Sequence, residues 1–552
     1  MKRRIEEVLE RTLAAARREG KLGSSTNEPV SVEVPKDREH GDIASNLALT
    51  MARSERKSPR AIAEILREHL DDPEGWITSS EVAGPGFLNL RLSPGFWRSE
   101  LARLSAEPAL GVVSEEAGKR AQVEFVSANP TGPLTVGHGR NAVLGDTVAR
   151  LLSTAGYAVE REYYFNNAGR QMKVLGASVR ARYLEEIGRP SEFPEDGYQG
   201  DYIRDIARSL RHEHGESLAD HEGNAFRAAA ESAIFAEIRR TQERLGIVFD
   251  HYFNEDSLYA SGAIERVVAA LDERGLVDRR EGAVWLVGEK VGLEKDRVLV
   301  KGTGEPAYRL PDIAYHEDKL ARGFDLIVDV LGADHISQHR DVAAALVALG
   351  HDISTIRAVI YQFVTLTRHG EQVKMSTRRA EYVTLDELLD EVGVDAARFF
   401  FLCRKSDSHL EFDLDLARKR STDNPVFYVQ YAHARISNLF AEAGRQGVAV
   451  PEGPANASLL EPLGESEEFE LIGQIALYAE TVALAARELE PHRIVFYLQE
   501  LAASLHRYYN RHRILGDEAP ERVTARLVLL HVVQRTIAAG LGILGVSAPD
   551  RM

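Results

Sequence analysis

The segment 122–164 constrains the fold most, because its pattern is strand, glycine loop, helix, strand. A short apolar strand at 122–126 enters a loop rich in proline and glycine. We predict a helix from about His138 to Thr154 and a second strand near 158–164. This order is typical of the first unit of a nucleotide-binding α/β domain. A later strand at 325–331, a helix to Leu349 and a strand at about 356–363 extend the pattern. The sequence therefore predicts a Rossmann-like parallel sheet with helices on both faces.

Changes of pattern along the 552 residues predict a multidomain protein. Residues 1–112 mix helical and strand patterns, which predicts an N-terminal α+β domain. We assign 113–383 to the α/β domain, with an insertion at about 186–300. From residue 384 onward the pattern is almost entirely helical. We predict a helical connector at 384–423 and an all-α domain at 424–552.

Composition limits the possible compartments and partners. No stretch approaches the roughly 20 uninterrupted apolar residues of a membrane helix, and the charged start lacks the apolar core of a signal peptide. We therefore expect a cytoplasmic protein with no membrane partner. The single cysteine, Cys403, permits no internal disulfide or cysteine-based zinc site, and we interpret it as a small buried hydrophobe. The net charge of −17 disfavours binding to phosphate, but it is an average over a large surface and excludes nothing.

The stretch from Glu124 to Arg140 is the first candidate for chemistry. Gly137 has no Cβ, which lets a flat base approach the backbone closely. His138 falls near the start of a helix, where free N–H groups and the helix dipole favour phosphate. Its imidazole can donate to a phosphate oxygen as charge develops. The alternative is that Gly137-His138-Gly139 is only a tight turn.

A second candidate lies far downstream, from Gln372 to Arg379. This polar stretch follows a strand pattern and contains Lys374, Arg378 and Arg379. A mobile loop with such charges can close over the phosphates of ATP, and a compact ammonium suits the charge that develops on pyrophosphate. Alone, such a run is usually a solvated loop. The two candidates in this order, on opposite halves of an α/β domain, are a much rarer combination.

The two stretches resemble the HIGH and KMSKS signatures of class I aminoacyl-tRNA synthetases, and their surroundings resemble bacterial arginyl-tRNA synthetases. The resemblance covers the whole chain. Further matching segments are Asn129–Leu134, Pro311–His316, Gly332–His335, Asp395–Arg398, Asn424–Arg435, Arg551-Met552 and, near the N-terminus, His40–Asp42 and Gly84–Leu90.

The resemblance implies an arginine–tRNA ligase. Such an enzyme activates L-arginine with ATP and Mg²⁺ as arginyl-adenylate. It then transfers arginine to the 3′-terminal adenosine of tRNA(Arg), releasing AMP and pyrophosphate. The resemblance also implies a helical anticodon-binding domain at 424–552, an N-terminal added domain that contacts the tRNA elbow, and a first step that needs bound tRNA. We expect a monomer without protein-bound zinc or another metal.

The resemblance also implies roles for individual residues. The catalytic residues are His138, Lys374, Thr135 and Arg378. ATP-binding residues are Pro130, Gly137, His138, Gly139, Lys374, Met375 and Ser376. Arginine-binding residues are Glu124, Asn129, Tyr308, Asp312 and His335. tRNA-binding residues are Tyr428, Tyr431, Arg435, Tyr508, Arg511 and Met552.

Two positions depart from the signatures. Thr135 stands where the first histidine of HIGH is usual, and Thr377 stands where KMSKS has its second lysine. A threonine hydroxyl can donate to phosphate but carries no charge. These changes affect how the work around the phosphates is divided, so we expect Lys374, Arg378 and His138 to take a larger share.

The chemistry of arginine agrees with an acidic pocket. A guanidinium needs planar, bidentate acceptors, which carboxylates provide best. Asp312 meets that need, although it could instead cap the helix predicted after it. Glu124 lies in an apolar strand, where an unpaired carboxylate is costly, so we expect it to contact substrate. His335, beside Asp334, follows the 325–331 strand at the end where open α/β sheets bind ligands.

Aromatic and basic residues alternate in the C-terminal helices. Tyr428 and Tyr431 lie three apart and share a helix face. The run Arg507, Tyr508, Tyr509, Arg511 and Arg513 could combine base stacking with phosphate contacts. Core packing of the tyrosines is the alternative.

Two other functions are open to a chain with these signatures. A cysteinyl or glutamyl synthetase shares the class, but one cysteine disfavours zinc ligands, and a glutamate pocket should present basic residues. A non-catalytic RNA-binding paralogue is suggested by Thr135 and Thr377. Retention of His138, Lys374 and the acidic pocket argues against it.

Overall fold

The protein has an N-terminal α+β part, a central parallel-sheet part and a C-terminal helical part. The computed structural model describes residues 1–23, 29–167, 169–221, 223–373, 383–451, 453–516 and 518–552, without the side chain of Arg38. The predicted fold class is confirmed.

In the N-terminal part, helices pack on one antiparallel sheet. Its elements are α1 Lys2–Arg18, β1 Val32–Glu33, β2 Ile43–Ser45, α2 Leu47–Glu55, α3 Pro59–Glu68, β3 Ile77–Ala83, β4 Phe87–Leu92 and α4 Pro94–Ala106. The described strands pair in the order β1-β2-β4-β3. Ser58 caps α3 by accepting from Ala61 N at 3.2 Å, and Pro59 occupies the first turn, as the sequence predicts.

The central part is built on a parallel sheet. Its elements are β5 Arg120–Glu124, α5 Val136–Ala155, β6 Ala158–Phe165, α6 Arg170–Glu186, α7 Asp201–His214, α8 Asn224–Arg244, β7 His251–Asn254, α9 Asp256–Ala260, α10 Ala263–Glu273, β8 Val277–Arg280, β9 Ala283–Leu286, β10 Arg297–Val300, α11 Arg309–Ala321, β11 Leu326–Gly332, α12 Ile336–Ala348 and β12 Ile356–Tyr361. Five described strands form the sheet in the order β12-β11-β5-β6-β7, all parallel.

The edge strand β7 corrects the predicted insertion at 186–300. His251–Asn254 lies inside that range yet pairs with β6 in the main sheet. A four-residue strand carries too little periodicity to be distinguished from a loop, which explains the difference. Within the range, the described strands β8, β9 and β10 form a separate small antiparallel sheet.

The sequence predicts a helical connector at 384–423, but the structure has a strand within this range. Strands β13 Val364–Arg368 and β14 Glu371–Gln372 precede the connector, and its own elements are α13 Leu385–Val392, α14 Val394–Phe401, β15 Leu410–Asp413 and α15 Leu414–Arg418. The strand β15 pairs in parallel with β13 and thereby joins the chain before and after segment 374–382.

The C-terminal part is helical, with α16 Pro425–Arg445, α17 Ser466–Ala476, α18 Tyr478–Glu488, α19 His492–Arg511 and α20 Pro520–Leu544. Asn424 caps α16 by accepting from Val426 N at 3.1 Å. Helices α18 and α20 pack against α5 of the central part.

Two stretches, Ser466–Glu488 and Pro520–Leu544, are long and apolar enough to span a membrane, but core helices meet the same criterion.

Candidate active site

The loop between β5 and α5 begins with a strained turn. Val126 and Ser127 have left-handed backbones, with φ of 65° and 40°. Such conformations are costly for residues with a Cβ and cluster at functional sites. Side chains hold the turn: Asn141 Oδ1 accepts from Val126 N at 2.6 Å, and Ser127 Oγ accepts from Tyr164 N at 3.1 Å. The Ser127 hydroxyl also donates to Glu124 Oε1 at 2.9 Å.

His138 lies in the first turn of α5 with a defined tautomer. Its Nδ1 accepts from the backbone N–H of Thr135 at 3.1 Å. Because an accepting ring nitrogen carries no proton, the neutral ring is protonated at Nε2. Burial lowers the pKa of His138 and so favours this neutral form. The Thr135 hydroxyl lies 3.3 Å from the same Nδ1. Thr135 thus helps to orient His138, which keeps one N–H donor at a helix N-terminus.

The two glycines beside His138 differ in what surrounds them. A Cβ on Gly139 would lie 2.6 Å from Leu385 Cδ1 and 3.1 Å from the Phe401 ring, so packing requires glycine there. A Cβ on Gly137 would meet no described protein atom closer than Thr135 Oγ1 at 3.7 Å. Packing among the described residues does not require Gly137, and close approach of a ligand is a physical reason for a glycine there.

The second signature, residues 374–379, lies outside the described residues, and with it Lys374, Met375, Ser376, Thr377 and Arg378. The segments that flank it are described. Val373 N donates to Leu366 O at 2.9 Å on one side. On the other, Leu385 N donates to Leu134 O at 2.8 Å, and Thr384 forms an antiparallel bridge with Thr135. The chain that follows the second signature is therefore hydrogen-bonded to the first.

A cavity of about 70 Å³, here called the acidic pocket, opens at the carboxyl ends of β5 and β11. Strands, α11 and α12 line it with Glu124, Tyr164, Asp312, Tyr315, His316, Asp329, Leu331, His335, Gln338, His339 and Val342. Open α/β sheets bind ligands at this edge. Of the predicted arginine-binding residues, the pocket brings together Glu124, Asp312 and His335.

The other two predicted arginine-binding residues lie outside this lining. Tyr308 immediately precedes α11 and is 66% exposed. Asn129 is also exposed, and its amide donates to Gln171 Oε1 at 3.0 Å.

Asp312 lines the acidic pocket without an ion pair to any described basic residue. It lies in the first turn of α11, and its side chain accepts from Gln338 of α12 rather than capping the helix. Among the described residues, no lysine, arginine or histidine forms an ion pair with it. Burial raises the pKa of Asp312, and the nearby Glu124 charge raises it further. A cationic ligand would relieve this unfavourable charge.

Glu124, by contrast, already has a cation. Lys319 is fully buried and pairs with both Glu124 and Asp329, the latter at 2.6 Å. Although burial opposes its charge, Asp329 and Glu124 raise the pKa of Lys319. The sequence argument that Glu124 lacks a partner inside the protein is therefore wrong. It failed because Lys319 is distant along the chain and reaches Glu124 from α11.

Asp329 also lies between two histidines. His316 Nε2 is 3.0 Å and His339 Nε2 is 3.5 Å from Asp329 Oδ2, a cluster that could hold a metal ion. The Lys319 ammonium already contacts Asp329 and would repel a cation. Burial opposes the charge on Asp329, but Lys319 and His316 hold its pKa well below the usual range. We interpret the group as a network of ion pairs.

The C-terminal part has a second cavity, of about 700 Å³, between α16 and the end of α19. Its lining includes Tyr431, Arg435, Tyr509, Arg511 and Arg513. The Arg435 guanidinium lies 3.7 Å from the centre of the Tyr509 ring. Aromatic faces beside cationic groups are the combination that stacks bases and contacts phosphates.

The remaining predicted tRNA contacts differ in exposure. Tyr508 is fully buried, and its hydroxyl donates to Glu468 at 3.2 Å, so it cannot stack on a base. Neighbouring helical residues point about 100° apart, and Tyr509 faces the cavity instead. Tyr428 is half-buried against the His506 ring, 4.7 Å away. Met552 is 51% exposed.

Comparison with known proteins accounts for all three parts. Residues 102–408 match the family described as tRNA synthetases class I (R), catalytic domain. Residues 2–92 match the arginyl tRNA synthetase N terminal domain, and residues 429–552 match the DALR anticodon binding domain. The protein named arginine–tRNA ligase from Desulfotalea psychrophila is 48% identical over 99% of both chains. The chain belongs to the arginyl-tRNA synthetase family.

Two further comparisons agree with membership of the arginyl-tRNA synthetase family. The Chlorobaculum tepidum protein named arginine–tRNA ligase is 48% identical and covers 96% of this chain and 98% of its own. The solved structure of Thermus thermophilus arginyl-tRNA synthetase is 24% identical, covers all of both chains and superposes with a TM-score of 0.75, which shows the shared fold.

Sequence reasoning missed several groups at the site of this synthetase. Glu255 follows β7 and is 6% exposed, with a pKa raised by burial and by the Asp312 charge. It was overlooked because it falls in the range assigned to an insertion. An acidic residue two positions after the apolar Tyr252-Phe253 pair was the available signal. Gln338 and Lys319 gave no signal, because their partners lie on other elements.

Proposed function

We propose that this chain joins L-arginine to tRNA(Arg) in two steps and that the acidic pocket binds the arginine side chain. The observation that carries the assignment is Asp312, a carboxylate at the ligand-binding edge of the sheet that forms no ion pair with a described basic residue. A guanidinium supplies the missing charge and two parallel donors. Glu255, also buried and raised in pKa, adds negative charge to the same region.

In the first step, the arginine carboxylate attacks the α-phosphate of ATP, forming arginyl-adenylate and releasing pyrophosphate. Nε2–H of His138, at the N-terminus of α5, donates to a phosphate oxygen as negative charge develops. Lys374 and Arg378 balance the charge of the departing pyrophosphate. Glu124 and Asn129 hold the α-ammonium group of arginine.

The second step transfers the arginyl group to a ribose hydroxyl of the terminal adenosine, the 2′ hydroxyl by analogy with class I enzymes. AMP leaves, and no covalent enzyme intermediate is needed. Catalysis comes from positioning and electrostatic stabilisation.

ATP is a substrate, and we propose that Mg²⁺ enters with its phosphates and that no zinc is bound by the protein. The nucleic-acid partner is tRNA(Arg). We propose that its anticodon meets Tyr431, Arg435 and Arg511, and that its elbow meets the N-terminal part. We place the enzyme in the cytoplasm as a monomer.

The test is ATP–pyrophosphate exchange by the full chain with tRNA(Arg) present. Arginine should support exchange at least a hundredfold above lysine, glutamate or cysteine, because only arginine offers a guanidinium to Asp312. A non-catalytic paralogue would bind tRNA but give no exchange with any amino acid. Exchange driven equally by another amino acid would refute the assignment of the pocket.

A further inference from the structure

The carboxylates around the acidic pocket fall into two groups that differ in their internal cations. Asp312 and Glu255 have no ion-pair partner among the described residues, and each has a raised pKa, mainly through burial. Glu124 and Asp329 share the ammonium of Lys319. Lys319, with His316 beside Asp329, therefore offsets the negative charge on one side of the pocket, whereas the described residues supply no ion-pair partner on the other side.

This division matters because arginine has two cationic groups. Its guanidinium and its α-ammonium are both attracted to carboxylates, so a pocket with carboxylates at both ends could bind the substrate in either direction. Only one direction puts the reacting carboxylate near the α-phosphate. The protein needs a feature that makes the two ends unequal.

Lys319 has the position and rigidity that this role demands. It lies on α11 two turns after Asp312, is fully buried, and its Nζ is 4.3 Å from the centre of the Tyr315 ring. Tyr315 is fixed in turn by donating to Glu162, which pairs with Arg322 at 2.8 Å. These contacts restrain the ammonium beside Glu124.

We propose that Lys319 is a positioning residue that neutralises Glu124, so that arginine binds with its guanidinium at Asp312 and not in reverse. The proposal rests on the function proposed above. Lys319 touches no reacting atom and acts only through Glu124. At the neutralised end, the α-ammonium is held by oriented acceptors, Glu124 among them, rather than by a free negative charge.

The first experiment compares the full-length variants Lys319→Gln and Lys319→Arg in arginine-dependent exchange with tRNA present. Reversed arginine would occupy Lys319→Gln without reacting. For Lys319→Gln, kcat and the KM for arginine should each fall by at least about threefold, while kcat/KM stays within about twofold of wild type. Lys319→Arg keeps the charge and should stay near wild type in both constants. A merely structural role would instead lower kcat/KM or the yield of folded protein.

The second measurement leaves Lys319 intact, in case its replacement prevents folding. Butylguanidine carries a guanidinium but no amino-acid head, so it reports where that group binds. Its inhibition constant against arginine should rise at least about tenfold in Asp312→Asn and change less than about threefold in Glu124→Gln. A Glu124→Gln variant as weakened as Asp312→Asn would show that Glu124 attracts the guanidinium and would overturn the proposal.

The controls separate this inference from the proposed function. If wild-type enzyme gave no arginine-dependent exchange, the proposed function would fail first. If wild type is active but Lys319→Gln raises KM, or Lys319→Arg loses as much activity as Lys319→Gln, the positioning role is wrong while the function stands.

Discussion

Residues of one charge type act differently in this site because their neighbours differ. Asp312 and Glu124 both line the acidic pocket, yet among the described residues only Glu124 has a lysine partner. The sequence predicted that both residues belong to the site but could not assign their charge balance. That balance depends on Lys319, which the fold brings from 195 positions away. Short-range patterns carry no information about such a pair.

Replacing Asp312 with alanine should weaken arginine binding far more than ATP binding. A charge-assisted contact is worth about 1.5–3 kcal/mol, so the dissociation constant for arginine should rise on the order of tenfold to a hundredfold. Equilibrium binding of each substrate, with tRNA present, measures both effects. Equal losses for arginine and ATP would mean that Asp312 has only a structural role.

Lys374 belongs to the segment outside the described residues, and its role stays a prediction from the sequence. Lys374→Met should slow adenylate formation, because charge on pyrophosphate appears only as it departs, while tRNA affinity stays almost unchanged. A single-turnover measurement of activation tests this, with a tRNA-binding assay as the control. Unchanged activation would remove Lys374 from the mechanism.

At the scale of elements, the start of α5 combines a glycine, a histidine and a bridge to the segment after the second signature. Periodicity predicted α5 and its neighbouring strands well, because long buried elements have clear patterns. The sequence did not predict the short strands β7 and β15, because four residues show almost no periodicity. The sequence also could not predict which side of α19 faces the core. The aromatic–basic run predicts an RNA surface but not which tyrosine lies on it.

Gly137→Ala should separate stability from activity within that element. The new Cβ meets no close atom of the described residues, and alanine favours a helix by about 0.8–1 kcal/mol over glycine, so the unfolding midpoint should hold or rise. If the base of ATP approaches Gly137, the KM for ATP should increase severalfold. Thermal unfolding and exchange kinetics measure the two effects. An unchanged KM for ATP would show that Gly137 only forms a local turn.

At the scale of the whole molecule, helix α14 connects the helical part to the catalytic part. Asp395 accepts from Gln430 of α16 at 2.8 Å and from Ser547 N at 3.0 Å. One turn later, buried Arg398 pairs with Asp146 of α5 at 2.6 Å and donates to Leu544 O at 2.8 Å. Arg398 therefore contacts both the end of α20 and α5, the helix that carries His138.

We expect arginine-dependent exchange by the full chain to require tRNA(Arg), because such a contact can couple the two sites. Because α18 and α20 pack on α5, removing the helical part would expose the catalytic helix, so point substitutions are the better probe. Tyr509→Ala should raise the tRNA concentration needed for exchange about fivefold or more, through lost base stacking.

The matched control for Tyr509→Ala is Tyr508→Phe. It removes only the buried hydroxyl and should leave the tRNA requirement unchanged. Full exchange without tRNA would contradict the coupling. Equal behaviour of the two variants would contradict the assignment of Tyr509 to the RNA surface.

The most direct measurement is aminoacylation of tRNA(Arg) by the purified full chain, with each amino acid supplied in turn. We expect arginine to be attached, at the terminal adenosine and at the expense of ATP, and Asp312→Ala to lose at least about tenfold in kcat/KM for arginine. Charging with a different amino acid, or no charging by a folded protein that binds both ATP and tRNA, would contradict the account.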